Sequence, residues 1–154
     1  MLRAVRTRPA KGITLIELLI ALIILGILIA IALPKVFSAQ NKSRYARAAC
    51  ESKTAVVQGI VYSNDKNANP GSMETLRASG YVTIGDTDPW GGAWITSAAF
   101  ADSGTPAHQG EMGVCSTGPR HTGDCTFPMP GPGVVQQDGS VGYSSLYGSW
   151  QGTA

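Results

Sequence analysis

A single acidic residue lies inside a long apolar run near the start of the chain. Glu17 is the only charged residue between Ile13 and Leu33, a segment of 21 residues. As a helix this segment is about 32 Å long, which matches the hydrocarbon thickness of a bilayer. A carboxylate at mid-membrane costs about 2.5–3.5 kcal/mol, so an acid in this position is expected to have a role and a charged partner.

Gly12 and Ile13 offer the simplest partner for this acid. If the chain is cut after Gly12, Ile13 gains a positive α-amine about one helical turn from Glu17. The two charges can then neutralise each other within one chain or between neighbouring chains. The spacing therefore predicts a processed N-terminus that pairs with Glu17.

The order of these residues is similar to a known processing signal. Basic residues, then Gly12, then the run from Ile13 through Glu17 to Leu19 resembles the cleavage and methylation signal of type IV prepilins and type II secretion pseudopilins. The resemblance implies that a prepilin peptidase removes the leader and that the new Ile13 amine is methylated. It also implies that Glu17 sets the register of subunits in a helical filament.

Two other kinds of N-terminal segment fit these residues less well. A secretory signal peptide has an apolar core of about 7–15 residues, which is shorter than the run found here. An ordinary single-span anchor has the right length but gives no reason for Glu17 beside Gly12. The prepilin interpretation accounts for the leader, the acid and the span together.

The helix is predicted to continue beyond the span. Gly26 and Pro34 extend the resemblance, and Pro34 is expected to bend the helix without ending it. From Lys35 to Tyr62, small and apolar residues recur close to a 3.6-residue period, which predicts an amphipathic half. The members of this stripe are Ala46, Ala49, Cys50, Val56, Val57, Ile60 and Val61.

Charge excludes a basic, nucleic-acid-binding body. The chain has twelve Lys and Arg against ten Asp and Glu, but four of the twelve lie in the leader, which leaves eight against ten in the mature chain. No nucleic-acid partner is predicted. Charge bias alone does not fix the topology, because four basic residues also follow the span. They are Lys35, Lys42, Arg44 and Arg47.

The cysteines indicate an exported head. Cys115 and Cys125 have nine residues between them in a Gly- and Pro-rich region and are expected to form a disulfide bond outside the cytoplasm. Such a bond contributes about 2–4 kcal/mol. Cys50 lies on the apolar stripe and is expected to be a small buried residue.

The first part of the head has clear turn and capping signals. Residues 63–71 are polar and are predicted to end the long helix. Ser72 is expected to cap a short helix from Met73 to Ala78, with Gly80 as its stop. Tyr81 to Ile84 alternate in the manner of a short strand.

A turn rich in tryptophan follows. Asp88-Pro89-Trp90-Gly91 resembles the corresponding turn of major pseudopilins. It predicts a hairpin corner, with Trp90 and Trp94 packing on either side of the next strand.

The C-terminal third alternates between loops and short strands. Thr96 to Gly110 is predicted to be a loop, and Gly113–Cys115 and Cys125–Phe127 two strands tied by the disulfide bond. Residues 128–133 are too rich in Pro and Gly for regular structure. The last segments are a hairpin over 134–143 with an Asp138-Gly139 turn, and a partly mobile tail over 144–154.

Catalytic and cofactor chemistry is not indicated. His108 and His121 have no metal-ligand spacing with another His or Cys, and no nucleophile or phosphate-binding motif appears. Asp124 and Asp138 are too sparse to predict the calcium site that major pseudopilins carry in a C-terminal loop. No catalytic, cofactor or metal site is predicted, and the chain is not expected to be an enzyme.

The expected protein is a structural filament subunit with an α+β fold. Its long N-terminal helix packs on an antiparallel sheet of about four strands. Its expected partners are copies of itself, a prepilin peptidase, an inner-membrane assembly platform and the membrane. It is expected to cross the inner membrane once before assembly and to form a periplasmic or extracellular filament afterwards. The boundaries are 1–12 for the leader, 13–34 for the span, 35–62 for the amphipathic half and 63–154 for the head.

Two alternatives remain open. Within the family, the Asp88 turn favours a major pseudopilin of a type II secretion system, whereas the Cys115–Cys125 disulfide and the irregular C-terminal region favour a pilin. Outside that class, the alternative is a membrane-tethered periplasmic binding domain, for which the sequence offers no cluster of converging ionisable groups.

Overall fold

The computed structural model describes residues 12–105, 107, 110–128 and 139–151 of the chain. The chain divides into two compact units, with the boundary between Gln40 and Asn41. The helices are α1 (Leu15–Lys66), α2 (Met73–Ala78) and α3 (Ala98–Ala101). The strands are β1 (Ile95–Thr96), β2 (Gly113–Ser116), β3 (Val141–Ser144) and β4 (Gly148–Gln151).

Helix α1 is 52 residues long and includes Pro34. The helix ends at Lys66, four residues beyond the predicted end at Tyr62. It continues through the polar residue Ser63 because the hydroxyl of this residue forms hydrogen bonds there. The Ser63 hydroxyl donates to the Gly59 carbonyl and lies 2.8 Å from the Asn69 side-chain oxygen. Asn67, with φ of 51°, then stands in the left-handed conformation that commonly follows a helix.

The predicted stripe of the amphipathic half is mostly wrong. Cys50, Val57, Ile60 and Val61 are exposed, and Cys50 is a free thiol rather than a buried residue. The head packs on smaller side chains, because its core aromatic ring comes very close to the helix: a Cβ added at Gly59 would lie 3.0 Å from the Phe100 ring. The buried residues of α1 are Ala48, Ser52, Ala55, Val56, Gly59 and Ser63.

The four strands form one antiparallel sheet in the order β1-β2-β3-β4, which confirms the predicted α+β class and the expected number of strands. Ile95 pairs with Cys115, so β1 meets the middle of β2. Val114 pairs with Tyr143, and Tyr143 in turn pairs with Ser149 of β4. The sheet and helices enclose one apolar core, which comprises Ala55, Val56, Leu76, Val82, Ile84, Phe100, Met112 and Val114.

The head confirms some sequence predictions and corrects others. Helix α2 has the predicted bounds, and the Thr75 amide donates to its cap, Ser72, at 3.1 Å. Tyr81 to Ile84 form no strand; the alternation reflects the burial of Val82 and Ile84 in the core without a partner strand.

Three further corrections fall in the C-terminal third. Residues 125–127 form no strand, and the segment predicted as a loop contains α3, whose cap is the Ser97 hydroxyl. The tail contributes β4 to the sheet, since Trp150 pairs there with Gly142. The first arm of the hairpin predicted over 134–143 lies outside the described residues.

Candidate functional site

The predicted processing residues stand at the start of α1. Gly12 and Ile13 precede the helix, and Thr14 caps it: the Glu17 amide donates to the Thr14 hydroxyl at 3.3 Å, and the Leu18 amide to the Thr14 carbonyl at 3.2 Å. Charge and hydropathy do not single out Thr14, but the spacing Thr-x-x-Glu is the sequence signature of a helix cap. Glu17 also lies in the first turn, where the helix dipole favours a negative charge.

The apolar part of α1 is uncovered. Every residue from Gly12 to Arg44 is exposed, and the large apolar side chains from Ile13 to Phe37 are between 46% and 82% exposed. By length and composition this helix could cross a membrane. Water-soluble monomers rarely expose so large an apolar surface, and a surface of this kind is typical of membrane or protein contacts.

Glu17 makes no ion pair with any residue in the described ranges. The next ionisable residue along α1 is Lys35, 18 positions later. Within the described ranges, no residue supplies the counter-charge that the sequence predicts for Glu17.

In the head, the tryptophan turn is built around a buried carboxylate. One Asp88 oxygen accepts from the amides of Trp90 and Gly92, at 3.0 and 2.7 Å, and the other accepts from the Ser116 hydroxyl of β2. Trp90 in turn packs edge-on against Tyr45 of α1, with ring centroids 4.8 Å apart. Asp88 thus joins the turn to the sheet, and its oxygens are already engaged in structural hydrogen bonds.

A second buried carboxylate holds the turn between β3 and β4. Glu111 accepts a hydrogen bond from the Ser144 hydroxyl, whose oxygen also accepts from the amides of Leu146 and Tyr147. Glu111 also borders a cavity of about 180 Å³ that Ser97, Ala98, Ala99, Gly110, Phe127 and Pro128 complete. No sequence pattern identifies Glu111, because its burial depends on contacts between distant segments.

The perturbed pKa values of the head come from separate pairs rather than from one cleft. Burial raises the pKa of Tyr45, and the charge of Arg120 offsets part of that rise. The pKa of Tyr81 is raised because its hydroxyl donates to Asp65 at 2.9 Å. Among the described residues, no three His, Cys, Asp or Glu side chains lie together as metal ligands.

The comparisons with known proteins agree with the chemistry of the N-terminal segment. Residues 7–33 match a family model described as the prokaryotic N-terminal methylation motif. The chain is also similar to the type II secretion system core protein G of Pseudomonas aeruginosa, with 29% identity over 100 residues, which cover 54% of this chain and 70% of that protein. By both comparisons the chain is similar to prepilin-type proteins. No solved structure matches it.

The structure also locates the other residues that the sequence singles out. The expected disulfide bond joins Cys115 to Cys125, with Cα atoms 5.9 Å apart. His121 is exposed, and the Thr126 hydroxyl donates to Asp124 at 2.6 Å. His108 and Asp138 lie outside the described residues.

Proposed function

We propose that the chain is a structural subunit of a type IV pilus-like filament, held together through the apolar half of α1. The observation that carries this proposal is the continuous exposed apolar surface from Ile13 to Leu33, with Glu17 as its one charge. In the membrane, lipid covers this surface. In a filament, the same segments of neighbouring subunits cover one another, and van der Waals packing replaces lipid contact.

The N-terminal residues supply processing and register. A prepilin peptidase cuts after Gly12, and the Ile13 amine is then methylated. The match to the methylation motif supports both steps. Because α1 begins directly after Thr14, the new amine lies close to the first helical turn, where Glu17 of the same or a neighbouring chain pairs with it. A pair of this kind fixes register more than it adds affinity.

The proposed life cycle has two locations. The precursor crosses the inner membrane once, and an inner-membrane assembly platform transfers subunits into a periplasmic or extracellular filament. Pro34, inside α1, is proposed to bend the helix as subunits pack. The domain boundaries proposed are 1–12, 13–34, 35–62 and 63–154.

The major pseudopilin of a type II secretion system is the second candidate. The similarity to a type II secretion core protein and the Asp88-Pro89-Trp90-Gly91 turn favour it. Deletion of the gene in the host distinguishes the two candidate functions. A pseudopilin mutant loses export of folded proteins, whereas a pilin mutant loses surface filaments.

An enzymatic or ligand-binding role has less support. The buried carboxylates Asp88 and Glu111 hold turns of the head through hydrogen bonds. We propose that the head is a structural domain and not an enzyme.

Mass spectrometry of the protein co-expressed with a prepilin peptidase tests the processing step. The expected product comprises residues 13–154 with one added methyl group on the Ile13 amine. Gly12→Val should block cleavage, because a branched side chain replaces the smallest residue at the cut, and Gly26→Val serves as the matched control that is still cleaved. A mature chain that begins at any other residue would overturn the proposal.

A further inference from the structure

Four basic residues follow the apolar segment of α1 with no acidic residue among them. They are Lys35, Lys42, Arg44 and Arg47, and the nearest acids along the chain are Glu17 before them and Glu51 after them. All four are exposed, and none of them contributes to the core of the head. Neither the core of the head nor the proposed filament contacts of the span account for this run of basic residues.

Three of these charges are uncompensated. The Arg47 guanidinium donates to Glu51 at 2.7 Å, so its charge is paired. Lys35, Lys42 and Arg44 make no ion pair with any residue that the structure describes. Phe37 lies in the same stretch with 59% of its side chain exposed. Basic and aromatic residues together are typical of helix segments at a membrane surface.

The three residues lie within reach of lipid headgroups along the chain. Lys35, Lys42 and Arg44 follow the last residue of the span within the roughly 15–20 residues over which charges beside a membrane segment act. The headgroup layer extends about 5–8 Å beyond the hydrocarbon on each side, and the field of anionic lipid extends about 8 Å further at physiological salt. Long basic side chains can also reach back toward the interface.

We propose that Lys35, Lys42 and Arg44 bind anionic phospholipid headgroups on the leaflet that faces the head, while the subunit is in the membrane. This inference rests on the membrane-inserted state of the proposed function. A second copy of the chain is a poorer partner, because residues 12–50 contain one acid, Glu17, which the Ile13 amine already engages in the proposed filament. The same segment of a neighbouring copy would face these charges with like charges.

Removal of the leader changes the distribution of positive charge on the two sides of the span. The precursor carries four basic residues on each side of the span. This equal number gives no preference for which end of the span faces the cytoplasm. Cleavage after Gly12 removes all four on the leader side. The remaining basic residues then attract anionic lipid only on the side of the head.

Electron spin resonance of the mature chain in bilayers tests the proposal. The chain, residues 13–154, is reconstituted in phosphatidylcholine that contains a minority of phosphatidylglycerol, and trace spin-labelled phosphatidylglycerol or phosphatidylcholine reports which lipid the protein immobilises. We expect a preference of about fivefold for phosphatidylglycerol at low salt, from the attraction of a basic residue to an anionic surface. The preference should fall toward parity when salt shortens the Debye length to about 3 Å.

Charge variants separate this cluster from general basicity. The triple change Lys35→Gln, Lys42→Gln and Arg44→Gln should abolish the preference, whereas the double change Arg47→Gln and Glu51→Gln should leave it unchanged, because it removes an ion pair without changing the net charge. Lys42→Arg should keep the part of the lipid preference that Lys42→Gln loses, because arginine keeps the positive charge. Equal immobilisation of the two lipids by the unaltered chain at low salt would overturn the inference, as would an equal loss of preference in the double variant Arg47→Gln and Glu51→Gln.

The same variants distinguish this inference from the proposed function. The lipid measurement needs neither a peptidase nor a filament, so a lipid preference in a chain that never assembles would contradict the filament role alone. If the unaltered chain shows no lipid preference while the triple variant fails to form filaments, the basic cluster contacts another protein and the lipid assignment is wrong.

Discussion

The segment from Gly12 to Gln40 and the compact unit that begins at Asn41 use their charged and polar side chains in opposite ways. In the N-terminal segment, Glu17 and Lys35 are exposed on a stretch of helix that buries none of its residues. In the head, Asp88 and Glu111 are buried and accept hydrogen bonds from side chains or backbone amides. Glu17 has no ion-pair partner among the described residues, whereas Asp88 and Glu111 have hydrogen-bond partners inside the head.

This difference separates an assembly residue from a folding residue. A carboxylate that the fold already satisfies stabilises the domain in which it lies, and its removal leaves donors without acceptors. A carboxylate in an uncovered apolar surface contributes little to the isolated chain and gains a strong interaction only when another molecule covers it. Substitutions should therefore divide into those that change assembly and those that change the stability of the head.

The largest effect is expected at Glu17. Glu17→Ala should reduce filament yield by about tenfold or more, because removal of one member of a buried charge pair costs about 3–5 kcal/mol. Membrane insertion and cleavage after Gly12 should stay normal. Filaments are quantified by shearing, sedimentation and electron microscopy, and Glu17→Asp is the control that keeps the charge. Normal filaments from Glu17→Ala would show that this acid does not set register.

The opposite result is expected at Asp88. Asp88→Ala should destabilise the head by about 4 kcal/mol, because the amides of Trp90 and Gly92 and the Ser116 hydroxyl lose their acceptor together. Asp88→Asn, which keeps one acceptor oxygen, should cost less than half as much. Denaturant unfolding monitored by tryptophan fluorescence measures both. Equal costs for the two variants would mean that turn conformation, and not the hydrogen bonds, carries the energy.

The sequence predicts those parts of the two regions that depend on local signals. The long helix, the disulfide bond and α2 with its Ser72 cap all follow from periodicity, cysteine spacing or capping within a few residues. The Asp88 turn is likewise recognisable, since its Asx hydrogen bonds span four residues.

The errors arise where packing between distant segments decides the outcome. The apolar stripe through Cys50 and Val57 is exposed because the Phe100 ring leaves room only for small residues near Gly59. The alternation of Val82 and Ile84 marks true burial but not a strand, since no partner strand lies beside them among the described residues. Hydropathy reports that a residue prefers burial, whereas the shape of the opposing surface determines which face is buried.

The disulfide bond is expected to affect the stability of the head and not the assembly of the apolar segment, because both of its cysteines lie in the head. Cys115→Ala with Cys125→Ala should lower the stability of the head by about 3 kcal/mol, the value expected for a short closed loop. Cys50→Ala, a change at an exposed free thiol, is the matched control and should have no measurable effect. Thermal unfolding with and without a reductant checks both. A reductant should shift the unaltered protein to the midpoint of the double variant.

Two helical glycines give a smaller, paired test. A methyl group at Gly59 would meet the buried Phe100 ring, so Gly59→Ala should destabilise the head by about 1 kcal/mol after the gain in helix propensity is subtracted. A methyl group at Gly26 would meet no neighbouring atom within 4 Å, so Gly26→Ala should not affect the unfolding of the head. Its effect should appear only in filament assembly, where small residues allow close helix contact. A stabilised Gly59→Ala head would show that the Phe100 ring can move.

The smallest effect is expected at an exposed ion pair of the head. Arg77 donates to Asp86 and holds the pKa of that carboxyl below its usual value. Because the folded-state pKa is lowered, the pair stabilises the head above the unfolded-state pKa of Asp86, and this contribution is lost as the pH falls through the folded-state pKa.

Arg77→Gln should return the pKa of Asp86 toward its ordinary value, and Arg77→Lys should do so only in part, because an ammonium lacks the planar fork of a guanidinium. Carboxyl ¹³C NMR titration measures the shift, and an unchanged pKa in Arg77→Gln would show that the pair does not persist in solution. Filament yield should be the same in both variants, since neither residue belongs to the apolar segment through which the filament is proposed to assemble.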